Sequence, residues 1–142
     1  MKKTEIYSYT LSELQNNVVI EFKEIKNDIL YITEKSIADI YLKNSQIKLG
    51  KISFINNLTY FDIQDSKFSN ITSTVTLITK DGSMVFNINS LTNLNDPKPD
   101  KPISLITQPT FTSGKYLDYK NIKITIDVFE SLDVGLVIIE YK

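Results

Sequence analysis

The stretch TVTLITKDGSMVFNI, residues 74–88, contains two runs in which apolar and polar residues alternate. Alternation with a period of two is typical of a β-strand that buries one of its faces. Between the runs lies Lys80-Asp81-Gly82-Ser83, and an Asp-Gly pair there favours a hairpin, because glycine accepts the positive φ of a tight turn. The stretch therefore predicts two antiparallel strands joined by a short turn.

The same alternation recurs on both sides of this hairpin. Val18–Lys23 predicts a half-buried strand, Glu24–Asp28 a turn, and Ile29–Thr33 the returning strand. Ile122–Phe129 alternates again, and the run Val134–Tyr141 after it is apolar on both faces, which indicates a central strand or a strand in an interface. Weaker strands are predicted at Glu5–Tyr9, Ile47–Ile55, Thr59–Gln64 and Ile103–Thr107.

Two segments carry helical signals. Ser36 and Asp39 resemble a capping box, so Ile37–Lys43 fits either a helix or a strand, and we favour the strand. Thr10–Asn16 fits a single helical turn.

The segment 90–102 contains three of the four prolines and no aromatic residue. Proline cannot donate to a strand ladder, so we expect an exposed loop or a short linker there. The 40 residues beyond it are few for an independent core. We therefore expect one domain, 1–142, in which the strands of 103–142 join the main sheet or a neighbouring subunit.

Strands separated by turn signals roughly every 8–12 residues are typical of all-β domains. We predict a two-sheet antiparallel β-sandwich of the jelly-roll kind, with a small closed β-barrel as the alternative. With 42% apolar residues in 142, the core needs neither a disulfide nor a metal.

Several residue types that carry chemistry are missing. The chain has no cysteine and no histidine, which excludes Ser–His–Asp and Cys–His catalysis and thiolate metal sites. Its four glycines are isolated, so no phosphate-binding loop is present. The carboxylates Glu21, Asp62, Asp127 and Glu140 occupy outward positions of alternating strands, where solvated charges are usual. We predict a protein that is not an enzyme and needs no cofactor.

The charge balance limits the partners. Lysine is the only basic residue type, and 16 lysines face 17 acidic residues, so nucleic acid is not an expected partner. No apolar stretch approaches the ~20 residues of a membrane span, and polar residues follow Met1-Lys2-Lys3 where a signal peptide would be apolar. We expect neither a transmembrane segment, nor a signal peptide, nor a membrane partner.

Three surfaces are candidates for binding. The apolar last strand is a candidate protein interface, a set of aromatic residues is a candidate surface for a glycan or a protein, and the proline-rich segment is a candidate docking loop. The interface residues are Val134, Leu136, Val137, Ile138, Ile139 and Tyr141. The aromatic residues are Tyr60, Phe61, Tyr116 and Tyr119, and the loop residues are Asp96, Pro97, Pro99 and Pro102.

The last quarter of the chain resembles jelly-roll modules of phage virion proteins. The resemblance rests on the alternating strand Asn121–Phe129, the acidic turn Glu130–Asp133 and the final apolar strand Val134–Tyr141, which closes on Glu-Tyr. It implies a structural role in capsid decoration, a minor capsid part or a tail or fibre module, and a location in the virion or the host cytoplasm. We expect a homo-oligomer that binds itself or other virion proteins, and the alternative is a carbohydrate-binding or adhesion module.

Overall fold

The computed structural model describes residues 1–63, 66–93 and 103–142. Its helix is α1 (Leu11–Asn16), and two short 3-10 turns lie at Lys115–Asp118 and Glu130–Leu132. The strands are β1 (Lys3–Thr10), β2 (Val19–Lys26), β3 (Ile29–Leu42), β4 (Lys48–Ile63), β5 (Ser66–Thr79), β6 (Gly82–Asn93), β7 (Ile103–Thr107), β8 (Pro109–Gly114), β9 (Lys123–Phe129) and β10 (Val134–Tyr141).

All ten strands belong to one antiparallel sheet that is nearly closed and barrel-like. The order is β7-β9-β10-β1-β3-β4-β5-β6-β8, and β2 pairs with the part of β3 that β1 leaves free. The all-β prediction is therefore confirmed, and the single curved sheet fits the barrel alternative. It stands in place of the two separate sheets of the jelly-roll sandwich that was the first expectation.

The core lies inside the curved sheet, where every second residue of a strand points inward. Its buried side chains are Tyr7, Tyr9, Ala38, Ile40, Ile52, Phe54, Val75, Leu77, Met84, Phe86, Tyr116, Ile124, Ile126, Val137 and Ile139. These residues come from one half of each long strand, the half next to the β5–β6 turn, from β1, β9 and β10, and, for Tyr116, from the 3-10 turn after β8.

The other halves of β3 to β6 continue past the core and carry β2 along their edge. We call this part, residues 19–35, 55–63, 66–73 and 87–93, the extension. Polar residues hold its strands together: Ser73 donates to Asn56 Oδ1 (2.6 Å), Asn56 donates to Glu34 (3.3 Å), and Thr33 donates to Asn57 (2.8 Å). Asn56 and Asn57, which have turn-like character, therefore lie inside β4, and the two predicted strands of this region are one.

The β2–β3 and β5–β6 turns depend on their residues in different ways. Asn27 and Asp28 both have positive φ (53° and 64°), which makes the two-residue β2–β3 turn the type that matches strand twist. The predicted hairpin at 74–88 is confirmed, with Thr79 opposite Gly82. The stated reason was wrong, however, because Gly82 does not have a positive φ. A Cβ at Gly82 would overlap the Ser113 carbonyl oxygen, so glycine is required there by the close approach of β8.

Both uncertain segments are resolved by α1 and β3. Ile37–Lys43 falls largely within β3, and the helical turn is α1, with Thr10 accepting a capping bond from the Glu13 amide (3.4 Å). α1 lies on the free edge of β3 between the parts paired with β1 and β2. There, Glu13 accepts the Asp39 amide (3.1 Å) and Asn17 donates to the Ile37 carbonyl (3.3 Å).

The proline-rich segment begins later than predicted. β6 continues to Asn93, so residues 90–93 are strand. The candidate docking loop, Asp96, Pro97, Pro99 and Pro102, lies outside the described residues. The strands of 103–142 extend the same sheet as the strands before them.

Candidate functional sites

The last strand, β10, lies in the middle of the sheet. It pairs with β1 along Val134–Tyr141 on one side and with β9 along Val134–Glu140 on the other. Both of its backbone edges are therefore used within the chain, so the predicted interface residues Val134, Leu136, Val137, Ile138, Ile139 and Tyr141 cannot add a strand from another chain. Val137 and Ile139 are fully buried in the core, while Val134 and Leu136 line a shallow groove of about 510 Å³.

The predicted aromatic surface is not one surface. Tyr60 and Phe61 lie in the extension, on opposite faces of β4, and Phe61 stacks on Phe68 with ring centres 5.8 Å apart. Tyr116 and Tyr119 lie at the other end of the long strands, and Tyr116 is completely buried. Of these four residues, Tyr116 is therefore core and cannot contact a ligand.

β2, which sequence reasoning predicted to be half-buried, has a free edge. All eight residues of β2 are exposed, and the strand pairs with β3 alone. Four large apolar side chains stand out: Val19 is 59% exposed, Ile20 56%, Phe22 50% and Ile25 72%. A bulge lies at Glu21, between Ile20 and Phe22, and Glu21 forms an ion pair with Lys35 (3.0 Å).

A polar cluster closes the core end of the barrel, and we call it the Glu5 cluster (Glu5, Tyr7, Lys115, Tyr116 and Tyr119). Glu5 follows the same inward face of β1 as Tyr7 and Tyr9, and the 3-10 turn after β8 carries Lys115 and Tyr116 across the opening. The Glu5 carboxylate accepts hydrogen bonds from Tyr7 (2.5 Å), Lys115 (2.8 Å) and Tyr119.

The electrostatics of the cluster follow from these bonds. Burial by itself raises the pKa of Glu5, but the hydrogen bonds from Lys115, Tyr119 and Tyr7 outweigh it and leave that pKa below its usual value. Burial lowers and the Glu5 bond raises the pKa of Lys115, with a net increase. Burial and the Glu5 bond both raise the pKa of Tyr7 and Tyr119. Glu5 therefore stays charged and the tyrosines stay neutral.

The contacts of the Glu5 cluster hold the barrel end together and leave no atom of the Glu5 carboxylate for a ligand. Tyr116 lies within 3.3 Å of the Tyr7 hydroxyl, and Tyr119 stacks on Tyr141 with ring centres 3.6 Å apart. Each polar atom of Glu5 already has a partner inside the protein. Within the described residues, no group of three or more Asp or Glu side chains is placed to hold a metal ion.

A groove of about 840 Å³ opens beside this cluster, where the barrel fails to close. It lies between β8 and the start of β9, with the β7–β8 corner as its floor. We call it the seam groove. Its lining includes Gln108, Phe111, Thr112, Tyr119, Asn121 and Lys123. Sequence reasoning identified Tyr119 here but missed the others, because single polar residues on short strands carry no motif.

The remaining predicted carboxylates behave as surface charges. Glu140 pairs with Lys2, Asp127 accepts a hydrogen bond from Ser104, and Glu21 pairs with Lys35. No helix in the described part of the chain is long and apolar enough to cross a membrane. In comparisons with known proteins, the chain matches no protein-family model and no curated protein.

Proposed function

We propose that this protein is a non-enzymatic assembly protein that associates with a second copy of itself through β2. The observation that carries the proposal is that an eight-residue edge strand exposes four large apolar side chains on its two faces. Exposed edges and contiguous apolar patches are sites of association, because both gain by leaving water.

The edge of β2 is only partly protected. Natural edge strands avoid pairing through bulges, lysines and shortness. β2 has a bulge at Glu21 and lysines at 23 and 26, but Phe22–Lys26 pairs regularly with β3 and is therefore flat enough to accept another strand. On its outer edge, the backbone N–H and C=O groups of every second residue point to solvent, as at any antiparallel edge.

The charge pattern favours a second copy as the partner. Phe22–Lys26 carries Glu24 between Lys23 and Lys26. If two copies pair antiparallel about a two-fold axis at Ile25, each Glu24 lies opposite the Lys26 of the other copy, and the two Ile25 side chains meet. Glu24 and Lys26 are two residues apart and share a face, so both ion pairs can form together.

The proposed contact is small, so the association should depend on concentration. A standard interface buries roughly 800 Å² on each partner, and one strand of this length supplies only part of that area. We therefore expect dimers at micromolar concentrations, with added contact from neighbouring exposed residues such as Tyr31.

The role that we propose for this assembly is that of a virion component, such as a capsid decoration, minor capsid or tail or fibre part. Its support is the resemblance of residues 121–141 to virion modules. Capsid or tail genes beside this gene would support the role, and a neighbourhood of metabolic genes would contradict it.

Cross-linking tests the β2 contact directly, because the chain has no cysteine of its own. Ile25→Cys should form a disulfide-linked dimer under mild oxidation, since directly opposed residues of paired antiparallel strands lie within disulfide reach. The control is Ile106→Cys, an equally isolated cysteine at a residue of similar exposure, 65% against 72%. Equal cross-linking of the two variants would refute the proposal. So would a protein that stays monomeric in native mass spectrometry while its concentration is raised about 100-fold from the low micromolar range.

A further inference from the structure

The seam groove exists because β8 leaves the sheet early. β8 pairs with β6 on one side only, and at Gly114 (φ 60°, ψ −134°) the chain turns away into the 3-10 turn of the Glu5 cluster. A Cβ at Gly114 would overlap the Asp81 carbonyl oxygen, so this departure depends on glycine. β9 pairs with β7 and β10, which leaves the space between β8 and the start of β9 open.

The groove offers uncharged hydrogen-bonding groups. The side chains of Gln108, Thr112 and Asn121 line it and form no hydrogen bond within the described part of the chain. Two amides and a hydroxyl supply both donors and acceptors. Lys123 is the only charged residue among those that line the groove. The lining therefore suits a ligand that is polar but neutral.

Two aromatic rings complete the lining. Phe111 lies in β8 beside an irregularity in its pairing with β6 and is 56% exposed, so its ring is free to contact a ligand. Tyr119 is fixed in place, because its hydroxyl donates to Glu5 and its ring stacks on Tyr141. A ring that is already ordered loses little conformational entropy when it contacts a ligand.

We propose that the seam groove binds a neutral oligosaccharide. Sugar rings combine apolar faces, which pack on aromatic rings, with hydroxyl groups that pair with amides and hydroxyls. Phe111 can pack on an apolar sugar face, and Gln108, Thr112 and Asn121 can form hydrogen bonds with sugar hydroxyl groups. An open groove of about 840 Å³ is large enough to hold a chain of a few sugar units.

An extended peptide added to the free edge of β8 is the competing occupant. Such binding relies on backbone groups. β8 is only six residues long and begins at Pro109, which has no N–H to donate. The groove side chains that form no hydrogen bond within residues 1–63, 66–93 and 103–142 are two amides and a hydroxyl, which favours the oligosaccharide.

The proposal is independent of self-association through β2. Phe111 and Phe22 lie on strands at separate edges of the sheet, with β3, β4, β5 and β6 between them. Ile47, on the β3–β4 connection, lies outside both surfaces and is 60% exposed, against 56% for Phe111, so Ile47→Ala is a matched control for Phe111→Ala. Each variant truncates one exposed apolar side chain and should leave the fold intact, which circular dichroism checks.

The test is a glycan array with neutral and acidic oligosaccharides, followed by titration of neutral hits such as hexamers of glucose or N-acetylglucosamine. We expect a neutral glycan to bind, with at least a tenfold weaker affinity for Phe111→Ala and an unchanged affinity for Ile47→Ala. Tenfold corresponds to about 1.4 kcal/mol of lost ring contact. Asn121→Asp, which keeps a residue that tolerates the positive φ of 53° at this position, should also weaken binding because it removes the amide donors.

Four results would overturn the proposal. They are no binding to any neutral glycan, binding to acidic glycans alone, equal affinity of Phe111→Ala and the unchanged protein, and selection of extended peptides that compete for the groove.

Discussion

Substitution of Glu5 by glutamine tests the core end of the barrel. In the folded chain, the Glu5 carboxylate accepts three hydrogen bonds, from Tyr7, Lys115 and Tyr119, and its side chain is 20% exposed. Glutamine has the same shape but presents an amide group to these donors. The tyrosine hydroxyls can rotate to accept from the amide, whereas the Lys115 ammonium cannot accept.

The expected loss follows from these contacts. A hydrogen bond to a charged group contributes about 1.5–3 kcal/mol in mutational series. The Lys115 side chain is 33% exposed, so water screens part of its attraction to Glu5. We therefore expect Glu5→Gln to lower the free energy of unfolding by the equivalent of one such bond, about 2 kcal/mol.

The loss should depend on pH with a defined sign. The pKa of Glu5 in the folded protein lies below 4.5, its reference value. The charged form therefore stabilises the fold above the unfolded pKa, and this contribution disappears as the pH falls through the folded pKa. The difference between Glu5→Gln and the unchanged protein should be largest at neutral pH and shrink toward zero in acid.

Urea denaturation at pH 7, 5 and 3 measures this difference. The control is Glu21→Gln, because Glu21 pairs with Lys35 where both side chains are about half exposed, and its substitution should leave the urea midpoint unchanged. A loss under about 0.5 kcal/mol at pH 7, within the range of ordinary surface substitutions, would refute the role of Glu5. So would a loss of equal size at pH 7 and pH 3.

Three further predictions concern packing, ionisation and the β2 edge. Gly135→Ala should lower the unfolding free energy by about 1–3 kcal/mol in thermal denaturation, because its Cβ would overlap the buried Tyr9 ring; an unchanged melting temperature would contradict this. Burial raises the pKa of Tyr7, Tyr9 and Tyr119 above 10.0, so they stabilise the fold below that pH and should ionise only as the protein unfolds in alkali. Ultraviolet titration should therefore show tyrosines that ionise only together with unfolding, and ionisation of all eight tyrosines while the protein is still folded would contradict it. Ile25→Lys should abolish dimers in native mass spectrometry while changing stability by less than about 0.5 kcal/mol, and a dimer that survives it would exclude β2.

Several strands could be located from the sequence. β7 and β10 have the predicted bounds, Ile103–Thr107 and Val134–Tyr141, and β9 begins one residue after the predicted position. Alternation locates β9 because a sheet that encloses a core imposes a period of two on its strands, whereas β10 was recognised as a continuous apolar run. The class of the fold follows from the same pattern.

Strand lengths and partners could not be derived in this way. The prediction divided β4 because Asn56 and Asn57 have turn-like character, whereas their amides pair with groups on neighbouring strands. The exposed β2 and the buried β10 both contain branched apolar residues at high density. What separates them is the number of neighbouring strands, one for β2 and two for β10, and this is a property of the topology.

The Glu5 cluster left a weak signal in the sequence. Glu5, Tyr7 and Tyr9 alternate on one face of β1, so a buried Tyr7 and Tyr9 imply an inward Glu5. An inward carboxylate requires donors. The identity of the donors Lys115 and Tyr119 depends on a contact 110 residues or more along the chain from Glu5, which periodicity cannot reveal.

The barrel end and the seam groove are connected through Tyr119. The Tyr119 hydroxyl is bonded to Glu5, and its ring forms part of the groove. Glu5→Gln weakens this anchor without touching any other group in the lining. If the groove binds a glycan through ordered aromatic rings, this variant should bind more weakly at pH 7, because Tyr119 must then be ordered on binding. Cross-linking at Ile25 should be unaffected by Glu5→Gln, since β2 pairs with β3 in the extension and lies away from the barrel end. A variant that lost both properties would indicate general unfolding, whereas one that lost only glycan binding would assign Glu5 a positioning role for the groove.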